Sequence, residues 1–213
     1  MFKIIKYSNR EEWANAITHG IAVIMSYFGL ILLWIKSISR GDFVQLTTAI
    51  VFGVAAILLF TASTVYHILR KGKWKHIFQI VDHIAIYILI AGTYTPITLV
   101  LMKDFDGIYI FYLVWVVSIA GIIYKLFFFE KYKLVSVVFY IGLGWTVLIK
   151  LDVLLFSMPP EITYWLLLGG IFYTMGVLFF LWEKLKFSHA IWHMFVIAGC
   201  SCHYYLVYNY VIP

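Results

Sequence analysis

Charge is scarce in this chain. Lys, Arg, Asp and Glu together make 12% of its 213 residues while 64% are hydrophobic, whereas a soluble domain is about a quarter charged and half apolar. That scarcity excludes an ordinary soluble fold and a disordered chain. Cysteine is rarer still: there are two, which excludes a disulfide scaffold. Cys200 and Cys202 stand two residues apart inside the last apolar run, and we read them as buried thiols serving as small apolar side chains. Proline numbers four, and the Pro159-Pro160 pair marks one firm break between elements. The basic opening MFKIIKYSNR is not followed by a small-residue cleavage site, so no removable signal peptide is expected.

What the chain has instead is apolar sequence in helix-length runs. A membrane-crossing helix needs about 20 apolar residues. Seven runs of that order lie at 16–35, 45–69, 77–101, 108–128, 134–156, 162–182 and 188–211. The expected fold is all-α, a single seven-helix membrane domain over 1–213, with 1–15 as a short cytoplasmic N-terminal segment. The many aromatics, 20% of residues, are expected in packing and in the interfacial belts. Gly142/Gly144 and Gly169/Gly170 are expected to permit close helix packing.

The distribution of the few charges predicts an orientation. Twelve of the 16 Lys and Arg residues fall in the N-terminal segment and the even-numbered loops, leaving Lys36, Arg40, Lys103 and Lys150 on the opposite side. Positive residues favour the cytoplasm, so the N-terminus is expected inside and the C-terminus outside, in the cell membrane. The net charge of +6 is then a topology signal and a lipid-headgroup contact, with no nucleic-acid partner needed.

Ionisable residues within spans are costly and mark function by default. His67 lies three residues before Arg70, Asp82 seven after Lys75, and His189 and His193 three and seven after Lys186. At about 1.5 Å of rise per residue, all four sit roughly 5–10 Å inside the same membrane edge. Three separate segments thus bring metal-capable side chains to one depth. His189 and His193 are spaced i, i+4 and share a helix face, so they can hold one ion together, and Ser63 stands in the same relation to His67. Three histidines with an open fourth position are the pattern of catalytic Zn2+, where bound water acquires a pKa of about 7. Asp82 would orient that water, act as a base or supply the fourth ligand. Ser63 would support the site or donate to an oxyanion. Against this stand plainer readings, in which each His is a hydrogen-bonded packing residue and Ser63 bonds its own helix backbone.

The remaining histidines are assigned other places. His203, about 15 Å along the helix from His193, is expected to be a packing or outer-side polar residue. His83 points about 100° away from Asp82, and His76 reads as interfacial in a basic loop. Glu11, Asn15 and His19 are spaced i, i+4 in turn and form one polar face. Helix capping and a supporting role beside the metal are both open for it.

With these residues in hand, the chain resembles the hemolysin III branch of the progestin and adiponectin receptor family, within a wider group of membrane hydrolases that includes alkaline ceramidases. The resemblance is carried by Glu12-x-x-Asn15-x-x-Thr18-His19-Gly20, Ser63-x-x-x-His67, Asp82-His83, Ala91-Gly92-Thr93-Tyr94-Thr95-Pro96 and His189-x-x-x-His193. It spans the chain from first helix to last. It implies a seven-helix bundle with zinc near the cytoplasmic face, His67, His189 and His193 as ligands, and Asp82 and Ser63 around the fourth position. The expected function is hydrolysis of a lipid amide or ester, with membrane lipids as partners. Two alternatives remain: a cytolysin or pore-former, as the family name suggests, and a sensor or homeostasis factor in which zinc is structural.

Overall fold

The computed structural model describes residues 7–129 and 133–212; Lys3, Lys6 and Lys131, part of the charge count, lie outside the described residues. Among the described residues every regular element is helical: α1 (Asn9–Arg40), α2 (Phe43–Ile68), α3 (Lys73–Pro96), α4 (Gly107–Phe128), α5 (Lys133–Gly144), α6 (Leu151–Phe156), α7 (Pro160–Leu181) and α8 (Ser188–Leu206), with short 3-10 and π turns between or after some of them. Seven helical stretches are long and apolar enough to cross a membrane, the fifth combining α5, a 3-10 turn over Thr146–Lys150 and α6. This is an all-helical, multi-pass membrane protein. Phe28, Phe127, Val138, Phe156 and Leu178 face outward, as a surface solvated by lipid requires.

α1 packs on α2, α2 on α3, α3 on α4, α7 on α8, and α8 returns to α1, closing the bundle. α3 with the turn after it is the most buried of the spans and α7 the least.

The first helix begins at Asn9 rather than near residue 16. Glu11, Glu12 and Asn15 do not interrupt it because they sit in its first turns, where carboxylates complement the unpaired N–H groups. Ser8 caps it and Glu11 closes a capping box on Ser8. At the other end the helix continues through Lys36 to Arg40 and stops at Gly41, in the left-handed region at φ 70. Lys36 is therefore a helix residue, and its ammonium donates to the Tyr208 carbonyl at 2.6 Å in the π turn that ends α8.

Gly142 and Gly144 have no neighbour within reach of an added Cβ, so close packing is not their role. α5 ends at Gly144 and the fifth span changes to 3-10 geometry. The Tyr94 hydroxyl repairs that break, donating to the Gly144 carbonyl and accepting from the Val147 N–H, both at 2.8 Å. Gly169 and Gly170 do admit close neighbours, the rings of His203 and Trp145. The free thiols of Cys200 and Cys202 are buried in α8.

Candidate metal centre

His67 ends up near the C-terminus of α2, and His189 and His193 in the first two turns of α8. The antiparallel run of the helices brings those ends together. All three rings are buried, and their ligand atoms lie within 4.8 Å of one another, a group that could hold a metal ion. Ring centroids of His67 and His193 are 5.3 Å apart, and those of His189 and His193 4.6 Å.

Hydrogen bonds from α1 fix how two of these rings present themselves. His67 Nδ1 lies 2.7 Å from Glu12 Oε2, with the Asn15 amide at 3.4 Å from the same nitrogen. A carboxylate only accepts, so Nδ1 carries the proton and Nε2 keeps its lone pair; that Nε2 is buried and has no hydrogen-bond partner. His193 Nδ1 faces the Asn15 carbonyl at 3.2 Å and the Thr18 hydroxyl at 3.1 Å. Thr18 spends its own proton on the carbonyls of Ala14 and Asn15, so His193 Nδ1 donates and Nε2 again is the basic nitrogen. The carboxylate–histidine arrangement is the one that orients metal-binding imidazoles and raises their basicity. An orphaned buried lone pair on His67, facing two further imidazoles, fits a borderline cation with a taste for nitrogen.

Glu12 is held in turn by buried Lys75, whose ammonium lies 2.9 Å from Glu12 Oε1. Lys75 also donates to the carbonyls of Tyr66 and Leu69 at the end of α2. One lysine thus joins the unsatisfied end of α2 to the start of α3 and to the carboxylate behind the metal group. Tyr7 covers the group, its ring 5.1 Å from that of His189 and 5.9 Å from that of His67. Burial above all, then the nearby Tyr66, Glu12 and Asp82, pushes the Tyr7 phenol above its ordinary range, so it remains a neutral donor.

Asp82 and Ser63 are both buried, with the Ser63 hydroxyl beside the Asp82 carboxyl but not in a completed hydrogen bond. Asp82 is not a member of the three-histidine group, yet it lines the cavity on which His189 and His193 open. This cavity follows α3 and the turn after it from Asp82 to Ile97, and α8 from His189 to His203, a length of about 20 Å at 1.5 Å per residue. Leu89, Ile90, Ile141, Val177 and Val196 make its body apolar.

The α1 face is organised differently from the i, i+4 series. Glu11 turns outward to Ser8 and to the Phe187 N–H, whereas Glu12, Asn15 and His19, at i, i+3 and i+7, face the histidines. His19 stacks on His193 with centroids 3.5 Å apart and planes 12° apart, and neither of its nitrogens has a hydrogen-bond partner. Capping thus falls to Glu11 and the supporting role to its neighbours. The functional residues that spacing missed are Glu12 as the partner of His67, and Lys75 behind it. His76 lies in the first turns of α3, half-buried against Phe129, because that helix starts at Lys73. His83 lines the same cavity as its neighbour Asp82, with its ring against Phe129 and Phe180. His203 is buried at the far end, its Nε2 donating to the Leu166 carbonyl at 3.1 Å.

Comparison with known proteins places this chain in a known family. The profile of the family described as "Haemolysin-III related" matches residues 7–204. The chain is similar to "Hemolysin-3" of Bacillus cereus, 41% identical over 96% of this chain and 93% of that protein. It is similar also to the "Hemolysin-3 homolog" of Bacillus subtilis, 39% identical over 97% of each. More distantly it resembles the human "Monocyte to macrophage differentiation factor", 31% identical over 94% of this chain and 84% of the relative.

Proposed function

The chain belongs to the haemolysin-III-related family, and from that premise we propose that it is a zinc-dependent hydrolase of a lipid amide or ester in the cell membrane. The observation that carries this reading is the buried three-histidine group, of which His189 and His193 line an elongated apolar cavity. When bound, zinc supplies Lewis acidity and a water with a pKa near 7.

The chain's own residues do the rest. His67, His189 and His193 hold the ion, and Glu12, Asn15 and Thr18 keep the rings of His67 and His193 in the ligating tautomer. The apolar cavity takes the acyl chain and excludes water from it. A carbonyl at the histidine end would then lie beside Asp82, whose carboxylate oxygen accepts a proton from the water that adds to the carbonyl carbon and returns it to the amine or alkoxide as its C–N or C–O bond breaks. The Ser63 hydroxyl donates to the oxygen on which negative charge develops. The charge distribution supports a cytoplasmic position for this end of the bundle.

The test is metal analysis joined to turnover of long-chain lipid amides and esters by purified protein. We expect one zinc per chain, lost together with activity in His193→Ala. Asp82→Asn should keep zinc while losing about 10²-fold or more in rate, the usual contribution of a general base. Wild-type protein without stoichiometric zinc, or His193→Ala retaining both properties, would overturn the reading. If Asp82→Asn instead sheds the metal, Asp82 is the fourth ligand and the zinc is structural. The printed names of the Bacillus relatives favour a second reading, cytolysis. Leakage of liposomes by pure protein, undiminished by alanine at all three histidines, would support it instead.

A further inference from the structure

The cavity has a second polar end, and we propose that it is a binding site for a hydroxyl group on the acyl chain of the ligand. His203 lines the cavity on α8, ten residues and about 15 Å beyond His193. Its Nε2–H is committed to the Leu166 carbonyl, so its Nδ1 is left as an acceptor. That Nδ1 is buried without a partner, in a side chain only 6% exposed. Tyr173 lines the same end, its ring centroid 5.6 Å from that of His203. Its hydroxyl oxygen is also buried without a hydrogen-bond partner, beside the thiol of Cys200, which is a weak donor and acceptor.

These two rings are seated by glycines. A Cβ at Gly169 would collide with the His203 ring, and one at Gly199 would approach Tyr173 to 2.9 Å. Two helices have thus yielded side-chain volume to hold one acceptor and one donor next to an apolar cavity. Leaving such groups unmatched costs about 1–3 kcal/mol each. A plain hydrocarbon chain cannot relieve that cost. A hydroxyl can, because it donates to His203 Nδ1 while accepting from Tyr173 O–H.

The spacing selects where on the chain that hydroxyl sits. An extended alkyl chain advances about 1.3 Å per C–C bond of about 1.5 Å, so about 15 Å corresponds to roughly a dozen carbons. The ligand class is a lipid whose acyl chain has its carbonyl at the histidine group and a mid-chain hydroxyl at His203 and Tyr173. This assignment rests on the proposed function for the position of the carbonyl, and on the cavity alone for the hydroxyl.

The experiment measures binding rather than turnover, using oleate and its mid-chain hydroxylated counterpart ricinoleate with the full-length purified protein. Ricinoleate should bind several-fold to about tenfold tighter, the effect of one well-made buried hydrogen bond. Tyr173→Phe, which removes a single oxygen, should erase most of that preference, read as the ratio of the two affinities. His203→Phe, which keeps a ring against Gly169, should do the same. Equal affinities for the two fatty acids, or a preference that survives Tyr173→Phe, would overturn the proposal. The metal reading is separated by His193→Ala: a protein that has lost zinc and binds both acids more weakly, yet keeps their ratio, supports the hydroxyl site on its own. Zinc-free wild-type protein that still prefers ricinoleate defeats the hydrolase reading and leaves this one standing.

Discussion

At the scale of single residues, the centre depends on which of two adjacent carboxylates turns inward. Ser8 binds Glu11 through its backbone N–H and its hydroxyl, at 2.9 and 2.7 Å, which holds Glu11 at the helix start and leaves Glu12 directed at His67 and Lys75. The two acids should therefore behave differently. Glu12→Gln removes the charged acceptor from His67 Nδ1 and should weaken zinc binding by about 10–100-fold, the usual effect of losing the partner behind a ligating histidine. Glu11→Gln should leave zinc affinity unchanged and cost about 1 kcal/mol of stability as a weakened cap. Zinc titration against a competing chelator, beside thermal unfolding, separates the two; equal losses of affinity would contradict the assignment. The histidine group was legible because depth follows from counting residues to the flanking Lys and Arg. Spacing alone did not pick out Glu12, which entered only with the family resemblance, since i, i+4 spacing favours Glu11 and the Ser8 cap decides otherwise. Lys75 was hidden for a related reason: a lysine in a basic stretch counts as a topology signal until its burial is known.

At the scale of elements, the fifth span shows how a break inside an apolar run is sustained. Leaving helical geometry after Gly144 frees backbone groups that neither lipid nor apolar side chains can satisfy. Tyr94 supplies both missing partners with one hydroxyl. Tyr94→Phe should thus strand a carbonyl and an N–H together and destabilise the protein by about 2 kcal/mol or more. A lower unfolding temperature with unchanged zinc content is expected, since Tyr94 stands three helical turns from Asp82. An unaltered unfolding temperature would show that the break is solvated in some other way. The spans themselves could be read from hydrophobic length, because that length is the physical requirement for crossing. Their ends could not, since a capped start such as Ser8–Glu12 and a snorkelling Lys36 keep charged residues inside a helix. Nor could the break at Gly144, which lies in a run without proline. Asp152 shows the same limit: it is an acid within the fifth span but exposed, whereas Asp82 in the third span is buried.

At the scale of the whole molecule, orientation and chemistry are coupled. The spacing to the flanking Lys and Arg predicts a depth of roughly 5–10 Å inside the membrane edge for the histidine group, at the end of the bundle where α1 begins, about as deep as the boundary between lipid headgroups and acyl chains. A lipid carbonyl at that boundary therefore needs to move sideways rather than down to reach it, from whichever leaflet faces that edge. The orientation decides the leaflet, and the charges decide the orientation. Between the end of α2 and the first turn of α3, Lys75 is buried and bound to Glu12, while Arg70, Lys71 and Lys73 are exposed. Those three are free to act as topology signals without touching the site. With the N-terminus inside, a fluorescent reporter fused there should light up, and a phosphatase fused after Pro213 should be active only outside the cytoplasm. Changing Arg70, Lys71 and Lys73 to Gln while adding lysines beside Lys103 should raise the inverted fraction. If the purified, inverted protein still binds zinc but cells no longer turn over inner-leaflet substrate, leaflet choice follows from charge alone. A wild-type C-terminal phosphatase that stays inactive would reverse the orientation and assign the histidine end to the outer leaflet.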